Sequence, residues 1–328
     1  MLKFIKSGRT LAVCAAALLV SGSALAQENW PSRPIRILVP YAAGGSTDIT
    51  TRLVAKSLSE VIGQSVVVEN KGGAGGTLGT ASFAKGAHDD HAFLMVTQSQ
   101  ISINQFLFKE KLGYDPVADL TPVGLVAQTT NAIVVPNSLP VKSFKEFVDY
   151  TRANPGKVSY ASAGVGSTGH LLNELMKRSL KLDMVHVPYK GNGPAMQAVV
   201  AGEVQLNTDN MPQLVTQIKA GKVKPLAVTT SKRWFQLPDV PTVDELGYPD
   251  LKTTVWFALM AQSKQSKESI TKLNAALNKV LRNPEFIARL REQSLEPTPG
   301  TPQEVLAVAE ADRKKWKVVV EQSGAKVD

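Results

Sequence analysis

Three short stretches bring together the residue types that anion chemistry needs. They are "YAAGGSTD" at 41–48, "NKGGAGGTLG" at 70–79 and "SAGVGSTGH" at 162–170. Each leads from a strand-like segment through glycines into a helical pattern. A helix start leaves about four backbone N–H groups without partners and carries a partial positive charge. Glycines there let an anion approach the backbone, and a Ser or Thr adds a hydroxyl donor. One such turn is commonplace. Three of them, at the C-terminal ends of strands in one α/β chain, describe a ligand crevice.

The familiar nucleotide and catalytic fingerprints fail on these turns. "GGAGGTLG" yields no G-x-G-x-x-G in any register, and Gly156-Lys157 and Gly221-Lys222 are each followed by valine, so no P-loop is present. "VGSTG" resembles a nucleophile elbow, but Val165 stands where the first glycine belongs. Ser167 and His170 on nearby helical turns keep a periplasmic serine hydrolase as an alternative. His186 alternates with Val185 and Val187 in a strand pattern. His88 and His91 flank Asp89-Asp90, a segment that reads as a polar turn without an established metal-ligand spacing. Neither a metal nor a cofactor is expected.

The elements that must position these turns follow from hydrophobic pattern. Apolar runs such as "IRILVPY", "SVVVEN", "FLMVTQ", "NAIVVP", "KVSYAS", "MVHVPY", "PLAVTT" and "VWFALMA" are mostly continuous, which predicts strands buried on both faces of parallel sheets. "VQLNTD" completes the set. After Asp48, Ile49, Leu53, Val54, Leu58, Val61 and Ile62 form one helical face that ends at Gly63. Leu171, Leu172, Leu175 and Met176 do the same after Thr168. Pro194 and Pro212 sit where a first helical residue is expected. Strands are expected to cease after "VWFALMA", leaving two C-terminal helices. Two α/β lobes without a flexible linker predict strand-like crossings, placed at "NAIVVP" outward and "VWFALMA" back. That partition assigns 27–126 plus 259–328 to one lobe and 127–258 to the other.

Composition narrows the setting. Lys3, Lys6 and Arg9, the apolar run "LAVCAAALLVSGSA" and Ala24-Leu25-Ala26 form a signal peptide over residues 1–26, cleaved after Ala26, which implies export to the periplasm. Cys14 is the only cysteine, so the exported part has neither disulfide nor thiolate chemistry. The formal net charge is +9, but the basic residues are scattered and lack the stripe and stacking aromatics of a nucleic-acid groove. No nucleic-acid partner is expected, and the chain reads as a monomer.

Taken together, "RPIRILVPYAAGGSTDITTRLVAKSLSEVIGQSVVVENKGGAGGTLG", "NPGKVSYASAGVGSTGHLLNEL", "VHVPYKGNGPAMQAVVAGEVQL" and "LPDVPTVDELG" resemble the Bug family, the extracytoplasmic solute-binding proteins of tripartite tricarboxylate transporters. The resemblance covers essentially the whole chain after the signal. It implies an α/β, two-lobed type II periplasmic-binding-protein fold with a ligand cleft between the lobes. It implies a small organic carboxylate as ligand and integral-membrane permease subunits as partner. A sensor kinase as partner is the alternative.

By motif, the resemblance places Tyr41, Ala43, Gly44, Gly45 and Asp48 in a first ligand loop and Ala74, Gly75 and Gly76 in a second. Ser162, Gly166, Ser167, Thr168 and His170 come from the opposing lobe, with Tyr189, Asn207 and Asp209 nearby. Backbone amides, hydroxyls and ordered waters commonly hold the carboxylate in this family. Gly44 and Gly45 are expected to supply backbone donors. Asp48, an acid beside an anion, is expected to cap the helix or hold a water. The chain departs from the family pattern at Lys71-Gly72, at "AHDDHAFLM" and at Asn207-Thr208, the last of which adds polarity where apolar residues are frequent.

Overall fold

A computed structural model describes residues 30–323. The signal segment lies outside the described residues. Two sheets organise the rest. The first contains β1 (Ile35–Val39), β2 (Val66–Asn70), β3 (Ala92–Thr97), β4 (Leu120–Thr129), β10 (Val255–Gln262) and β11 (Glu296–Pro297), in the order β11-β4-β10-β3-β1-β2. The second contains β5 (Asn131–Pro136), β6 (Val158–Ser162), β7 (Met184–Pro188), β8 (Leu206–Asn210) and β9 (Val223–Val228), in the order β7-β6-β8-β5-β9.

Both sheets are mixed, not parallel as the apolar runs predicted. β1 pairs in parallel with β2 and β3, whereas β10 runs antiparallel to β3 and β4. β6 pairs in parallel with β7 and β8, whereas β5 runs antiparallel to β8 and β9. At the sheet edges β2 and β7 a continuous apolar run does not ensure burial on both faces, and it carries no information about strand direction. β10 shows this, being buried at every position yet antiparallel to both neighbours.

β4 is not among the expected strands; Pro122 and Gly124 interrupt its apolar run. β11 reaches only the Gln128 end of β4, and the irregular register between Leu259 and Met260 accommodates Pro122. Gly124 is needed for packing: a Cβ there would stand 2.8 Å from Asn274 Nδ2.

The helices that lead to the site begin as the pattern indicated. α1 (Ser46–Ile62) starts after Gly45 and stops at Gly63, which adopts φ 74. α2 (Thr77–Ala84), α3 (Asn104–Leu107) and α4 (Phe144–Ala153) follow. α5 (Thr168–Leu180) buries Leu171, Leu172, Leu175 and Met176, the predicted face. α6 (Asn192–Ala201) starts two residues before Pro194, and α7 (Met211–Lys219) takes Pro212 as its second residue.

After β10 come three helices, not two: α8 (Lys267–Leu281), α9 (Pro284–Glu292) and α10 (Pro302–Ser323), with β11 between the last two. Asn283 accepts from the backbone N–H groups of Glu285 and Phe286, so the chain restarts as a new helix at Pro284.

The sheets change over at different residues from those assigned by the sequence partition. That partition cuts through β4 after 126 and through β10 after 258. "NAIVVP" lies wholly in the second sheet and "VWFALMA" wholly in the first; the outward passage is at Thr130 and the return precedes Val255. Thr130 and Thr229 lie side by side there, with Thr229 N donating to Thr130 Oγ1 at 3.2 Å. α10 spans both halves, packing on β4 and on α5. Trp256 Nε1 holds it by donating to Asp312 Oδ2 at 2.6 Å.

Candidate functional site

The C-terminal ends of β1, β3, β6 and β8 face one another across the gap between the sheets, and a small cavity opens there. Thr47 lines it from the first turn of α1, and Ser167, Thr168 and Gly169 from the start of α5. Asn192 lines it from the start of α6, and Thr97 and Ser99 from the end of β3. Thr208, Asp209 and Asn210 close it from β8. Its free volume is about 20 Å³, room for one water-sized body. Lysine, arginine and histidine are all absent from the lining. Three helix starts and several hydroxyls supply its hydrogen-bond donors in place of a formal cation, and Asp209 is the one carboxylate in the lining.

Tyr41, 8% exposed, forms part of the wall, but its hydroxyl is committed to the scaffold. It accepts from Gln100 Nε2 at 2.7 Å and donates to the Gly75 carbonyl oxygen at 3.2 Å. Gln100 Nε2 and Asn104 Nδ2 also donate to that carbonyl, at 3.1 and 3.3 Å. Burial pushes the Tyr41 hydroxyl above its ordinary pKa. One carbonyl with three donors fixes the second glycine loop, where Gly75 and Gly76 both take positive φ.

The first loop is held from within. Asp48 Oδ2 accepts from Gly44 N at 2.9 Å and from Arg52 Nε at 2.9 Å, and Oδ1 accepts from Asn70 Nδ2 at 2.9 Å. Burial works against ionising Asp48, but these donors, Arg52 foremost, outweigh it and hold the carboxyl below the usual range. Asp48 thus reaches back from the third residue of α1 to the loop before it, much as a capping-box acid does. The Gly44 N–H expected to face a ligand is consumed by this bond. Gly44 and Ala43 are exposed and line a wide groove beside Gly193 and Pro194 instead of the central cavity.

On the opposing side, Ser167 caps α5 by accepting from His170 N at 3.3 Å. His170 Nδ1 accepts from Gly166 N at 3.2 Å. The arrangement spends Ser167 and His170 on backbone groups and forms no side-chain bond between these two. His170 stacks on His186, with ring centroids 4.2 Å apart, and His186 stacks in turn on Tyr160 at 4.9 Å. Ser162 Oγ meets His186 Nε2 at 2.7 Å. Burial depresses both imidazoles, His170 to about 4 and His186 to about 3. The two rings are a neutral column behind the third glycine turn.

Of the residues singled out in sequence, Tyr41, Ser167, Thr168 and Asp209 line the central cavity. Ala74, Gly75, Gly76 and Tyr189 line a neighbouring, more apolar slot that shares Tyr41 and Ala163 with it. Gly45, Asp48, Ser162, Gly166, His170 and Asn207 stand behind these walls. Thr47, Thr97, Ser99 and Asn192 were missed. The first lies inside the quoted glycine turn, and the next two are polar residues that end or follow an all-buried strand. Among the described residues no cluster of three or more metal-ligating side chains occurs. His91 Nε2 instead accepts from Ser32 N at 3.1 Å.

This geometry has counterparts among known proteins. The model of the tripartite tricarboxylate transporter family receptor matches residues 50–325. The chain is similar to the periplasmic binding protein BugD, with 34% identity and a TM-score of 0.86 over 90% of this chain and 99% of BugD. It is similar to Rpa4515 of Rhodopseudomonas palustris, solved with adipate, at 36% identity and a TM-score of 0.88 over 91% of this chain and all of that one. MatC from the same organism, with bound malate, is 32% identical with a TM-score of 0.84 over 89% of this chain. The two facing sheets are the two-lobed fold of these periplasmic binding proteins, and the chain belongs to the tripartite tricarboxylate transporter receptor family.

Proposed function

We propose that this protein captures a small organic carboxylate between its lobes in the periplasm and delivers it to the permease of a tripartite tricarboxylate transporter. The observation that carries the reading is the convergence of the α1, α5 and α6 starts on one small, hydroxyl-lined cavity. Thr47, Ser99, Ser167, Thr168 and Asn192 are the contacts we assign to the ligand, with Tyr41 as an immobile wall and Thr97, whose donors are spent on Gln100, as another. Each charge-assisted hydrogen bond to a carboxylate contributes about 1.5 to 3 kcal/mol net. Three or four of them suffice for the roughly 8 kcal/mol of a micromolar complex after closure costs.

The cavity is smaller than any dicarboxylate, so ligand entry requires the lobes to part, and we place their boundaries at Thr130 and just before Val255. Adipate and malate in the two Rhodopseudomonas structures support a carboxylate as the ligand class. Binding without chemistry, by a monomeric chain, completes the proposal; the committed backbone bonds of Ser167 and His170 support the absence of a hydrolytic pair. Export through the N-terminal signal is part of the same reading. The test is a thermal-shift screen of mono-, di- and aromatic carboxylates followed by calorimetry, since a ligand of the folded form raises the melting temperature by mass action. Micromolar binding of at least one carboxylate is expected; binding of none, with a folded protein that takes an uncharged solute, would overturn it.

A further inference from the structure

One group in the cavity is at odds with an anion alone. Asp209, 4% exposed, projects from the end of β8 into the lining. Its Oδ1 accepts from the Asn192 side-chain amide and from Asn210 N at 2.7 Å. Its Oδ2 has no hydrogen-bond partner. Asn207, two residues earlier on the same face of β8, sets its side chain near the same carboxylate without closing a hydrogen bond to it. Buried polar atoms in folded proteins are ordinarily paired, and an unpaired one is costly. A free carboxylate oxygen beside a pocket for carboxylates would repel its ligand unless the ligand brings something that Oδ2 accepts.

We propose that Asp209 selects carboxylates that carry a hydrogen-bond donor beside the carboxyl group, namely hydroxy acids and amino acids, over plain carboxylates of the same length. The inference rests on the carboxylate-binding reading above. Because the α5 start and Asp209 line one small cavity, the donor stands within a bond or two of the carboxylate carbon. The ligand carboxylate then lies toward Ser167 and Thr168, and its hydroxyl or ammonium donates to Asp209 Oδ2. Burial lifts the Asp209 carboxyl to about 6 against the opposing pull of the Asn192 side chain, the Asn210 N–H and the nearby Asn207 side chain, so it is ionised and accepting at neutral pH. The other titratable group that faces it is Tyr41, held protonated by burial.

The experiment compares succinate, L-malate and L-aspartate by calorimetry on the exported chain at neutral pH. These ligands share a carbon skeleton and differ in one substituent. Malate or aspartate is expected to bind about tenfold or more tighter than succinate. Asp209→Asn is expected to shrink that preference to about threefold or less while succinate still binds. A second readout needs no variant: near pH 6 the donor-bearing ligand releases protons as it holds Asp209 ionised, seen by repeating the titration in buffers of different ionisation enthalpy. Equal binding of the three, a preference that survives Asp209→Asn, or proton uptake with malate and aspartate would overturn the inference. Proton uptake with a tighter succinate would instead assign Asp209 as a protonated donor to a second carboxylate. Failure of every carboxylate to bind would overturn the underlying function.

Discussion

Gly75 and Val165 meet across the two lobes so closely that a Cβ on Gly75 would overlap the Val165 carbonyl oxygen. Gly75 also takes φ 61 and ψ 24, a left-handed conformation that suits glycine. Gly75→Ala is therefore expected to hold the lobes apart. Ligand affinity should fall by about tenfold or more, while the ligand-free protein loses only the roughly 1 to 2 kcal/mol of backbone strain. Calorimetry and thermal melts on the same variant separate the two effects; unchanged affinity would show that this contact does not limit closure.

Asp48 acts on the ligand only through the loop it holds. Removing its carboxylate in Asp48→Ala frees Gly44 N, Arg52 and Asn70 at once. A loss of about 1 to 3 kcal/mol in chemical denaturation is expected, with weaker carboxylate binding. Asp48→Asn keeps acceptor capacity toward Gly44 and should retain part of both.

The stacked histidines set a pH dependence. Burial holds His170 near 4 and His186 near 3, below the ordinary 6.5. Below about 6.5 the unfolded chain therefore binds protons that the folded chain refuses, and stability falls as pH drops from there toward 4. Above that range these residues contribute no slope. The loss for His170 alone is on the order of 3 kcal/mol. Denaturation midpoints across this range should fall with acidity, and His186→Phe should flatten the profile.

Ser167→Ala removes the α5 cap and one cavity hydroxyl. A stability loss of about 1 kcal/mol is expected, with weaker ligand binding. Ester turnover should be undetectable in both the parent and the variant. Turnover that vanishes in the variant would restore the hydrolase alternative.

The glycine turns, the buried stripe of α5 and the absence of nucleotide fingerprints were legible in the sequence, because each depends on residues close together in the chain; the α1 face was legible only in part, since Thr47, Thr50 and Thr51 share its buried side with Val54 and Leu58. The family resemblance placed Tyr41, Ser167, Thr168 and Asp209 at the site, and these four line the cavity. Thr97, Ser99 and Asn192 were not placed there; they join the site only when β3 and α6 are brought against α1 and α5.

Local pattern thus determined that helices begin at glycine-rich turns and that the central strands are buried, whereas the edge strands β2 and β7 expose Val67 and Val185 despite equally apolar runs. Only the tertiary structure decided strand direction, the changeover at Thr130, and which polar groups remain free. The Gly44 N–H is spent on Asp48, and the Tyr41 hydroxyl is spent on Gly75. Asp209 Oδ2 is left unpaired. Hydrogen bonding is an exclusive assignment made among all groups within reach, and that set exists only once distant segments have come together.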